Sequence, residues 1–453
     1  MNVLLSSPLG ALLARPWVDP VGLFGAERWY LPLSRLWAAA NVAGEDMALF
    51  RDNIGAPLPD FPLGGRLRGV LGRHTRLRGK ADADRQDWES AVFDAPGGDR
   101  DAALLDRQRR RSATWHLSTR ALFYPLLFGR RFPSARWRID GPAEVERALG
   151  RSLNDPAQLY GASIDAGAVE VSQASEANGR REYWLRAPSP SARLRQSPGS
   201  ERLYARVVEP ATGSDRTLIS GSGLCLETDL LSKPLDSAGQ LAAMGWRVIE
   251  LVSPYHGLRA TPGYYGGEPF FALGPTSSLD LISGQAVETA LLVAWSRGRF
   301  AGKVAIAGIS LTSFVAQQAA SHCHLWPDAA RPDAVMLINH SGRIENVAFG
   351  GALAATLGLD RALADAGWSR ESLARLSQAV NPAAVPALAA ERIVSVLGET
   401  DRWVPYEDGE ALVRQWKLPE ANVFRYRLGH LGTPVQLMRD AAPFERLRQV
   451  LAG

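Results

Sequence analysis

A serine, an aspartate and a histidine each follow a predicted strand in the second half of the chain. Ser310 lies in "GISLT", Asp401 in "GETDRWVP" and His430 in "RLGHLGTP". A serine hydroxyl becomes a useful nucleophile at neutral pH only when a base removes its proton, and imidazole has a suitable pKa. A carboxylate then fixes the imidazole tautomer and stabilises the imidazolium. The three residues therefore predict attack by Ser310 on a carbonyl carbon.

The sequence around Ser310 has the pattern of a nucleophile elbow, a sharp strand-to-helix turn with the serine at its tip. Gly308 permits the tight turn, and the N-terminus of the helix that follows favours developing negative charge. The usual G-x-S-x-G pattern has a second glycine where this chain has Thr312, followed by Ser313. Because both side chains are small, we still expect an elbow. The alternative is a turn that uses Ser310 only as a small polar residue.

The oxyanion of a tetrahedral intermediate needs preorganised N–H donors. One predicted donor is the N–H of Leu311, directly after the nucleophile. Further donors are expected from the N–H groups of Gly221 and Ser222, in the glycine-rich loop "SGSG" that follows an earlier strand. This loop has neither the lysine nor the spacing of a phosphate-binding P-loop, which excludes a nucleotide site of that type.

Other polar residues near the predicted site have competing interpretations. Glu399 is a rival for the role of the acid, but it lies closer to the preceding strand than Asp401 does. Asp401 has a structural alternative as well, because it could cap the helix that begins near Tyr406. His256, in "SPYHGLR", and His340 are expected to be structural histidines. The order serine, aspartate, histidine, each just beyond a strand, favours the assignment given above.

The elements that must position these residues are visible from about residue 165 onwards. An Asn-Gly pair at 178–179 between two β-rich runs predicts a hairpin. Runs at 304–307, 335–338 and 393–397 are continuously apolar, as expected of parallel strands that are buried on both faces. Strands alternating with helices predict an α/β fold with a mostly parallel central sheet flanked by helices.

Two further parts of the chain are predicted to be mostly helical. We assign residues 1–160 to an N-terminal helical extension and 161–453 to the α/β domain. Within that domain, a helical insertion at about 341–390 is expected to cover the site as a lid.

Residues 51–138 form a basic block, with 18 Lys and Arg side chains against 10 Asp and Glu, although the whole chain has a net charge of only +4. The block contains an apolar run at 121–128 that arginines flank. Such a segment could contact an anionic membrane, or it could pack on the protein with its arginines in solvent. No nucleic-acid-binding motif accompanies the charge, so we expect no nucleic-acid partner.

Composition argues against disulfide-rich, metal-binding, secreted and membrane-spanning proteins. The cysteines, Cys225 and Cys323, form neither a disulfide framework nor a metal-ligand pattern, and we expect no metal and no organic cofactor. The N-terminus lacks the basic region of a secretory signal, and no run approaches the roughly 18 apolar residues of a membrane span. We expect a cytoplasmic protein, with peripheral membrane contact as the open alternative.

Residues 200–453 resemble the α/β-hydrolase superfamily and, more narrowly, the family of the eukaryotic α/β-hydrolase domain-containing protein eighteen and its bacterial relatives. The resemblance rests on "ELVSPYHGLR", "VAIAGISLTS", "SVLGETDRWVP", "YRLGHLG" and the earlier "SGSG". It implies an α/β-hydrolase fold and the roles of nucleophile, acid and base for Ser310, Asp401 and His430. The chain departs from the family pattern at Thr312 and Ser313.

These observations predict a serine hydrolase that cleaves carboxylic esters through an acyl-enzyme intermediate. The resemblance adds lipid acyl esters as a substrate class, because the eukaryotic branch is associated with deacylation of mitochondrial phospholipid. Three alternatives use the same fold: a peptidase, an acyltransferase, and a catalytically inactive binding or scaffold protein.

Overall fold

One mixed β-sheet forms the centre of the protein. The computed structural model describes residues 15–55, 64–94, 101–161, 163–221, 223–225 and 236–453. Within these ranges the sheet comprises β1 (Glu170–Val171), β2 (Ser175–Ala177), β3 (Arg180–Pro188), β4 (Arg202–Pro210), β5 (Arg216–Gly221), β6 (Arg247–Leu251), β7 (Lys303–Ile309), β8 (Ala334–Ile338), β9 (Ile393–Gly398) and β10 (Val423–Tyr426).

The strand order is β1-β3-β4-β6-β5-β7-β8-β9-β10, with β2 also paired to β3. Strands β5 to β10 are parallel, whereas β4 is antiparallel to both of its neighbours, β3 and β6. Counted from β3, this is a sheet in which the third and fourth strands exchange places and the second runs against the rest. That arrangement is the α/β-hydrolase fold. The predicted fold class is confirmed.

Helices cover both faces of the sheet. They are α1 (Val18–Gly25), α2 (Leu31–Ala43), α3 (Met47–Ile54), α4 (Gly64–Glu89), α5 (Ala102–Ser118), α6 (Pro142–Leu149), α7 (Pro156–Tyr160), α8 (Ser237–Ala243), α9 (Glu268–Ala272), α10 (Thr276–Arg299), α11 (Leu311–His322), α12 (Ile344–Gly350), α13 (Ala352–Leu357), α14 (Leu359–Asp365), α15 (Arg370–Ser377), α16 (Tyr406–Gln415), α17 (Gly432–Leu437) and α18 (Ala442–Ala452).

The central strands are apolar at every position because each face packs on helices. Along β7, Val304 and Ile306 belong to the core beneath α10 and α11, whereas Ala305 and Ala307 belong to the core beneath α8 and α18. Strands β8 and β9 alternate between the same two cores. The continuous apolar runs at 304–307, 335–338 and 393–397 therefore have the explanation that the sequence suggested.

The N-terminal helices are fastened to the α/β domain by a buried ion pair. Nη1 of Arg35, on α2, contacts both carboxylate oxygens of Glu268, on α9, at 2.6 and 2.7 Å. Both side chains are fully buried, and Nη2 of Arg35 also donates to the carbonyl of Gly263 at 2.6 Å. Loss of either charge would leave the other buried without its partner, which is strongly destabilising. The N-terminal helices thus form part of the structural frame of the site.

Several local predictions can be compared with this structure. The hairpin is confirmed: β2 and β3 pair on either side of Asn178 and Gly179, which both have positive φ. The stretch from Leu33 to Ile54 belongs to two helices rather than one, because Gly44 (φ +58°) ends α2 and the Asp46 side chain caps α3. The predicted helical character of the N-terminal region is confirmed.

The domain boundaries and the limits of the lid stay predictions. Helices α12 to α15 do lie between β8 and β9 in the chain.

The apolar run at 121–128 both packs and faces solvent. It lies mostly in a 3₁₀ segment, Thr119–Leu127, in which Phe123, Leu126 and Leu127 are buried, whereas Tyr124 and Phe128 are exposed. In the part of the chain that the structure describes, no helix is both long and apolar enough to cross a bilayer. The extreme N-terminus, where a signal was not expected, lies outside the described residues.

Candidate active site

Ser310, His430 and Asp401 form a hydrogen-bonded chain at the carboxyl edge of the parallel strands. Nε2 of His430 lies 2.9 Å from Oγ of Ser310, and Nδ1 lies 2.7 Å from Oδ2 of Asp401. Asp401 and His430 are buried, at 5% and 8% exposure. With Nδ1–H donated to the carboxylate, Nε2 is left as an acceptor for the serine hydroxyl. The structure therefore brings together the three side chains that the sequence predicted.

The turn at Ser310 has the backbone geometry expected of a nucleophile elbow. Ser310 has φ 54° and ψ −115°, a conformation that a residue with a side chain rarely adopts. Its N–H donates to the carbonyl of Ile338 at 2.9 Å, and the Ser313 hydroxyl donates to its carbonyl at 2.5 Å. A Cβ on Gly308 would lie 2.1 Å from the carbonyl oxygen of Thr312. Only glycine fits there, so the first glycine of the motif is required by the tightness of the turn.

Thr312 stands where the elbow motif usually has its second glycine, and the close approach of the elbow to the next strand is made in another way. Thr312 Oγ1 accepts the N–H of Ile309 at 3.0 Å and donates to the carbonyl of Gly221 at 2.9 Å. Gly221 is the neighbour of Gly308 in the β5–β7 register. A Cβ on Gly221 would approach Cγ2 of Thr312 to 2.7 Å. The close approach is thus made by a glycine on the adjacent strand, and the threonine hydroxyl ties that strand to the elbow.

Asp401 is oriented by its own loop. Its Oδ1 accepts the N–H groups of Trp403 and Val404 at 2.9 and 3.1 Å, while its Oδ2 contacts His430. The indole ring of Trp403 stacks on the His430 imidazole, with ring centroids 5.1 Å apart and an angle of 9° between the planes. The rival acid, Glu399, is exposed and lies 3.8 Å from the Arg427 guanidinium. The acid that contacts the histidine is therefore Asp401.

The loop that carries His430 is held on two sides. Asn339 Nδ2 donates to the His430 carbonyl at 2.8 Å. On the other side, the Asp19 carboxylate on α1 accepts the N–H groups of His430 and Leu431 at 2.5 and 2.9 Å. A Cβ on Gly429 would lie 2.2 Å from Oδ2 of Asp19, so the carboxylate fits against the backbone only because that residue is glycine. The N-terminal region therefore contributes directly to the position of the histidine.

The predicted oxyanion donors are only partly described. Leu311 is the first residue of α11, where N–H groups have no acceptor within the helix, and it lines the same cavity as Ser310. Gly221 ends β5, with its carbonyl bonded to Thr312. Ser222 lies outside the described residues. The Leu311 N–H is therefore next to the serine, and the donor roles of Leu311, Gly221 and Ser222 stay predictions.

The described part of the glycine-rich loop is fastened by a neutral histidine. Cys225 N–H donates to Nε2 of His256 at 3.2 Å, and Nδ1 of the same ring contacts the carbonyl of Pro254 at 2.9 Å. Burial lowers the pKa of His256 to about 4, so the ring is neutral at pH 7 and can accept a hydrogen bond. The Tyr30 hydroxyl donates to the Cys225 carbonyl at 2.9 Å. His256 ties loops together, as the sequence suggested.

His340 has no contact with the candidate site. Its Nε2 lies 2.8 Å from the Ser395 hydroxyl on β9, and burial lowers its pKa to about 3. It is a buried, neutral histidine within the sheet core, in agreement with the structural interpretation.

An apolar cavity opens at Ser310 and His430, and its empty space, counted together with open solvent at its mouth, is about 1100 Å³. Its walls come from α9, the start of α10, the start of α11, helices α12 to α15 and the Asp401 loop. Among the described lining residues none carries an Asp, Glu, Lys or Arg side chain. The lining consists mainly of aliphatic and aromatic side chains, including Leu224, Phe270, Phe314, Val347, Leu353 and Leu376. Such a cavity suits a neutral, apolar group attached to the carbonyl that Ser310 would attack.

The sequence did not identify three residues that shape this site. Asn339 directly follows β8 and was visible as a polar residue at a strand end, but its bond to the His430 backbone was not. Trp403 stands two positions after Asp401, and nothing in its spacing indicates a stacked ring. Asp19 lies in a helix near the N-terminus, where no motif marks it.

No family model matches the chain, and no curated protein sequence matches it. Among solved structures, it is similar to an acetyl xylan esterase from Paenibacillus sp. R4, with 15% identity over 68% of this chain and 94% of that chain and a TM-score of 0.46. It is also similar to acetyl xylan esterase 1 from Thermoanaerobacterium sp. JW/SL YS485 (16% identity, 65% and 91%, TM-score 0.41). A third is an S-formylglutathione hydrolase from Agrobacterium tumefaciens (13% identity, 62% and 99%, TM-score 0.37). At these low scores the fold assignment rests on the strand order and directions.

Proposed function

We propose that the protein is a serine hydrolase that cleaves carboxylic esters with an apolar acyl group. Ser310 is the nucleophile, His430 the general base and acid, and Asp401 the carboxylate that orients the imidazole. The observation that carries the proposal is the chain of short contacts from Asp401 through His430 to Ser310 at the mouth of an apolar cavity.

In the first half of the reaction, Ser310 Oγ attacks the ester carbonyl while His430 Nε2 takes the hydroxyl proton. The oxyanion of the tetrahedral intermediate accepts hydrogen bonds from the N–H of Leu311 and from the loop of Gly221 and Ser222. The intermediate collapses as the C–O bond to the alcohol breaks, and His430 returns the proton to the departing oxygen. The products of this half are an acyl-enzyme ester on Ser310 and the free alcohol.

In the second half, a water molecule attacks the acyl-enzyme carbonyl while His430 takes its proton. Collapse of the second tetrahedral intermediate breaks the bond to Ser310 Oγ, and the proton returns to that oxygen. The carboxylic acid leaves and the free enzyme is restored. Each step uses only side chains and backbone N–H groups of this protein and the two substrates, ester and water.

The cavity supports an apolar acyl group over a charged or strongly polar one. Transfer of each methylene from water into such a lining contributes about 0.8 kcal/mol, whereas a charged or strongly polar acyl group would lose its hydration without a partner. Lipid acyl esters belong to this substrate class. Peripheral association with a membrane is consistent with such substrates.

The first experiment is active-site labelling with a fluorophosphonate probe. We expect the wild type to be labelled and both Ser310→Ala and His430→Ala to be unlabelled, while circular dichroism shows that both variants are folded. Ser377→Ala is the matched control, because Ser377 lines the same cavity but its hydroxyl donates to the Leu373 carbonyl. Absence of labelling in folded wild-type protein would contradict the proposal and would favour an inactive binding protein on this fold.

Product analysis separates the remaining chemistries. A series of nitrophenyl esters of increasing acyl length should show rising kcat/KM until the cavity is filled. An added alcohol should not divert the acyl group into a new ester, and a peptide amide with the same acyl group should not be cleaved. Transfer to the alcohol would make the protein an acyltransferase, and amide cleavage would make it a peptidase.

A further inference from the structure

Exposed large apolar side chains are concentrated in the N-terminal third of the protein. Among the described residues, 11 of the 13 such side chains lie between positions 17 and 128. They are Trp17, Val21, Phe24, Trp29, Tyr30, Val42, Leu49, Leu104, Trp115, Tyr124 and Phe128. Single exposed apolar residues are ordinary, but a concentration in one region indicates an interaction surface.

Helix α1 has two faces with different partners. Trp17, Val21 and Phe24 follow the i, i+4, i+7 spacing of one helix face, and they are 46%, 58% and 59% exposed. Asp19 and Gly22 belong to the opposite side: Asp19 holds the His430 loop, and Gly22 approaches Leu431 closely. The exposed face is therefore not needed for packing of the helix on the protein.

The apolar face of α1 adjoins an arginine-lined groove. Phe24 lines this groove together with Arg28, Arg130 and Arg131, and Glu27 is the one acidic side chain among its described lining residues. Phe128, which is 67% exposed, stands just before the two consecutive arginines. Aromatic side chains beside several arginines combine the two attractions by which a peripheral protein binds a bilayer that contains anionic lipid.

This surface also adjoins the candidate active site. Helix α13 packs against α1, and its Thr356 lines the arginine groove. The same helix presents Leu353 and Leu357 to the apolar cavity. A single helix thus separates the groove from the cavity that opens at Ser310.

We propose that Trp17, Val21, Phe24 and Phe128, flanked by Arg28 and Arg131, dock the protein on an anionic lipid bilayer. The apolar side chains enter the interfacial region of the lipid, and the arginines meet the anionic headgroups. The net positive charge of the groove favours this occupant over a second copy of the chain, which would bring like charges together at the same face. Docking in this orientation places the lipid surface against the groove, whose wall helix α13 also lines the cavity. The inference concerns binding and holds whether or not the protein hydrolyses the esters proposed above.

The test is co-flotation of the full-length protein with vesicles. We expect binding to phosphatidylcholine vesicles that contain about 30 mol% phosphatidylglycerol, weak binding to pure phosphatidylcholine, and a decline as salt increases. The Val21→Glu and Phe24→Glu double variant should lose about tenfold in binding, and Arg28→Glu with Arg131→Glu should lose a comparable factor. Val385→Glu is the matched control, because Val385 is 79% exposed but lies outside the N-terminal region.

Folding and chemistry are checked independently of vesicle binding. Each variant should keep the wild-type melting temperature and the wild-type rate on a short soluble ester. Ser310→Ala should float as well as the wild type, so that loss of hydrolysis and loss of binding are distinguished. The proposal is overturned if the wild type does not float, if the Val21→Glu and Phe24→Glu double variant floats as the wild type does, or if Val385→Glu impairs binding equally. A concentration-dependent dimer that is abolished by the Val21→Glu and Phe24→Glu variant, and by no other variant, would also overturn it and identify a self-association surface.

Discussion

The carboxylate of Asp19 accepts the backbone N–H of His430, although 411 positions separate the two residues in the chain. The same carboxylate accepts the N–H of Leu431 at 2.9 Å. Burial raises the pKa of the Asp19 carboxyl, and the two backbone N–H groups act in the opposite direction. A second buried carboxylate, besides Asp401, therefore lies next to the histidine and holds its loop.

Asp19 is predicted to position His430. Asp19→Asn should lower kcat/KM about tenfold, because an amide has only one acceptor oxygen for the two N–H groups. The loss should appear in kcat with little change in KM, since the contact positions the base and not the substrate. Glu27→Gln, on the segment that follows α1, is the control and should change neither kcat nor KM. An unchanged kcat in Asp19→Asn would reduce Asp19 to a purely structural residue.

Thr312 is predicted to hold the elbow against the end of β5. Thr312→Val keeps the shape but removes the hydroxyl that bonds to Ile309 N–H and the Gly221 carbonyl. We expect a loss of about 1–3 kcal/mol in the free energy of unfolding and a fall in kcat with little change in KM. Thr312→Ser, which keeps the hydroxyl, should restore kcat. Equal losses in both variants would instead assign the effect to packing of the threonine methyl group.

The cavity is predicted to set the acyl-length preference. Ala354 lines the cavity and is buried, whereas its neighbour Ala355 is exposed on the same helix. Ala354→Phe should shift the preferred ester to shorter chains, at a cost of about 0.8 kcal/mol, or roughly fourfold in kcat/KM, for each methylene displaced. Ala355→Phe should leave the chain-length profile as it is. If both variants retain the wild-type profile, the acyl group binds elsewhere.

Stability is predicted to fall as the pH drops below about 6.5. Burial lowers the pKa of His74 and His256 to about 4, and of His116 and His340 to about 3. Between these values and the unfolded value of 6.5 the unfolded chain binds protons that the folded protein does not. The free energy of unfolding therefore decreases by about 1.4 kcal/mol per pH unit for each such histidine. It can be measured by urea unfolding between pH 7 and about pH 5, above the range in which most carboxylates titrate.

A variant pair separates this effect from general acid sensitivity. His340→Asn should reduce the slope of unfolding free energy against pH, whatever it does to the absolute stability. Val385→Ala, at an exposed residue without a titratable side chain, should leave the slope as in the wild type. An unaltered slope in His340→Asn would show that protonation of this buried ring is not part of the acid response.

Local patterns in the sequence were sufficient for the fold and for the three central side chains. Strands buried on both faces are continuously apolar, and a serine, an acid and a histidine just beyond such strands must meet at one edge of the sheet. Gly308 could be recognised as necessary because the constraint on it arises within four residues. The need for a second glycine in the motif could not be evaluated in this way. The glycine that allows the close approach, Gly221, lies on another strand, and only the register of β5 and β7 brings it to Thr312.

Contacts between distant segments were decided by the tertiary structure alone. The bonds from Asp19 to the His430 backbone and from Tyr30 to Cys225 join the N-terminal helices to the site without any pattern in the local sequence. The apolar cavity likewise arises only when helices from separate parts of the chain converge above Ser310. Periodicity reports which face of an element is apolar, but not which other element covers it. The meeting of Ser310, Asp401 and His430 could therefore be predicted from sequence, and the shape of the site could not.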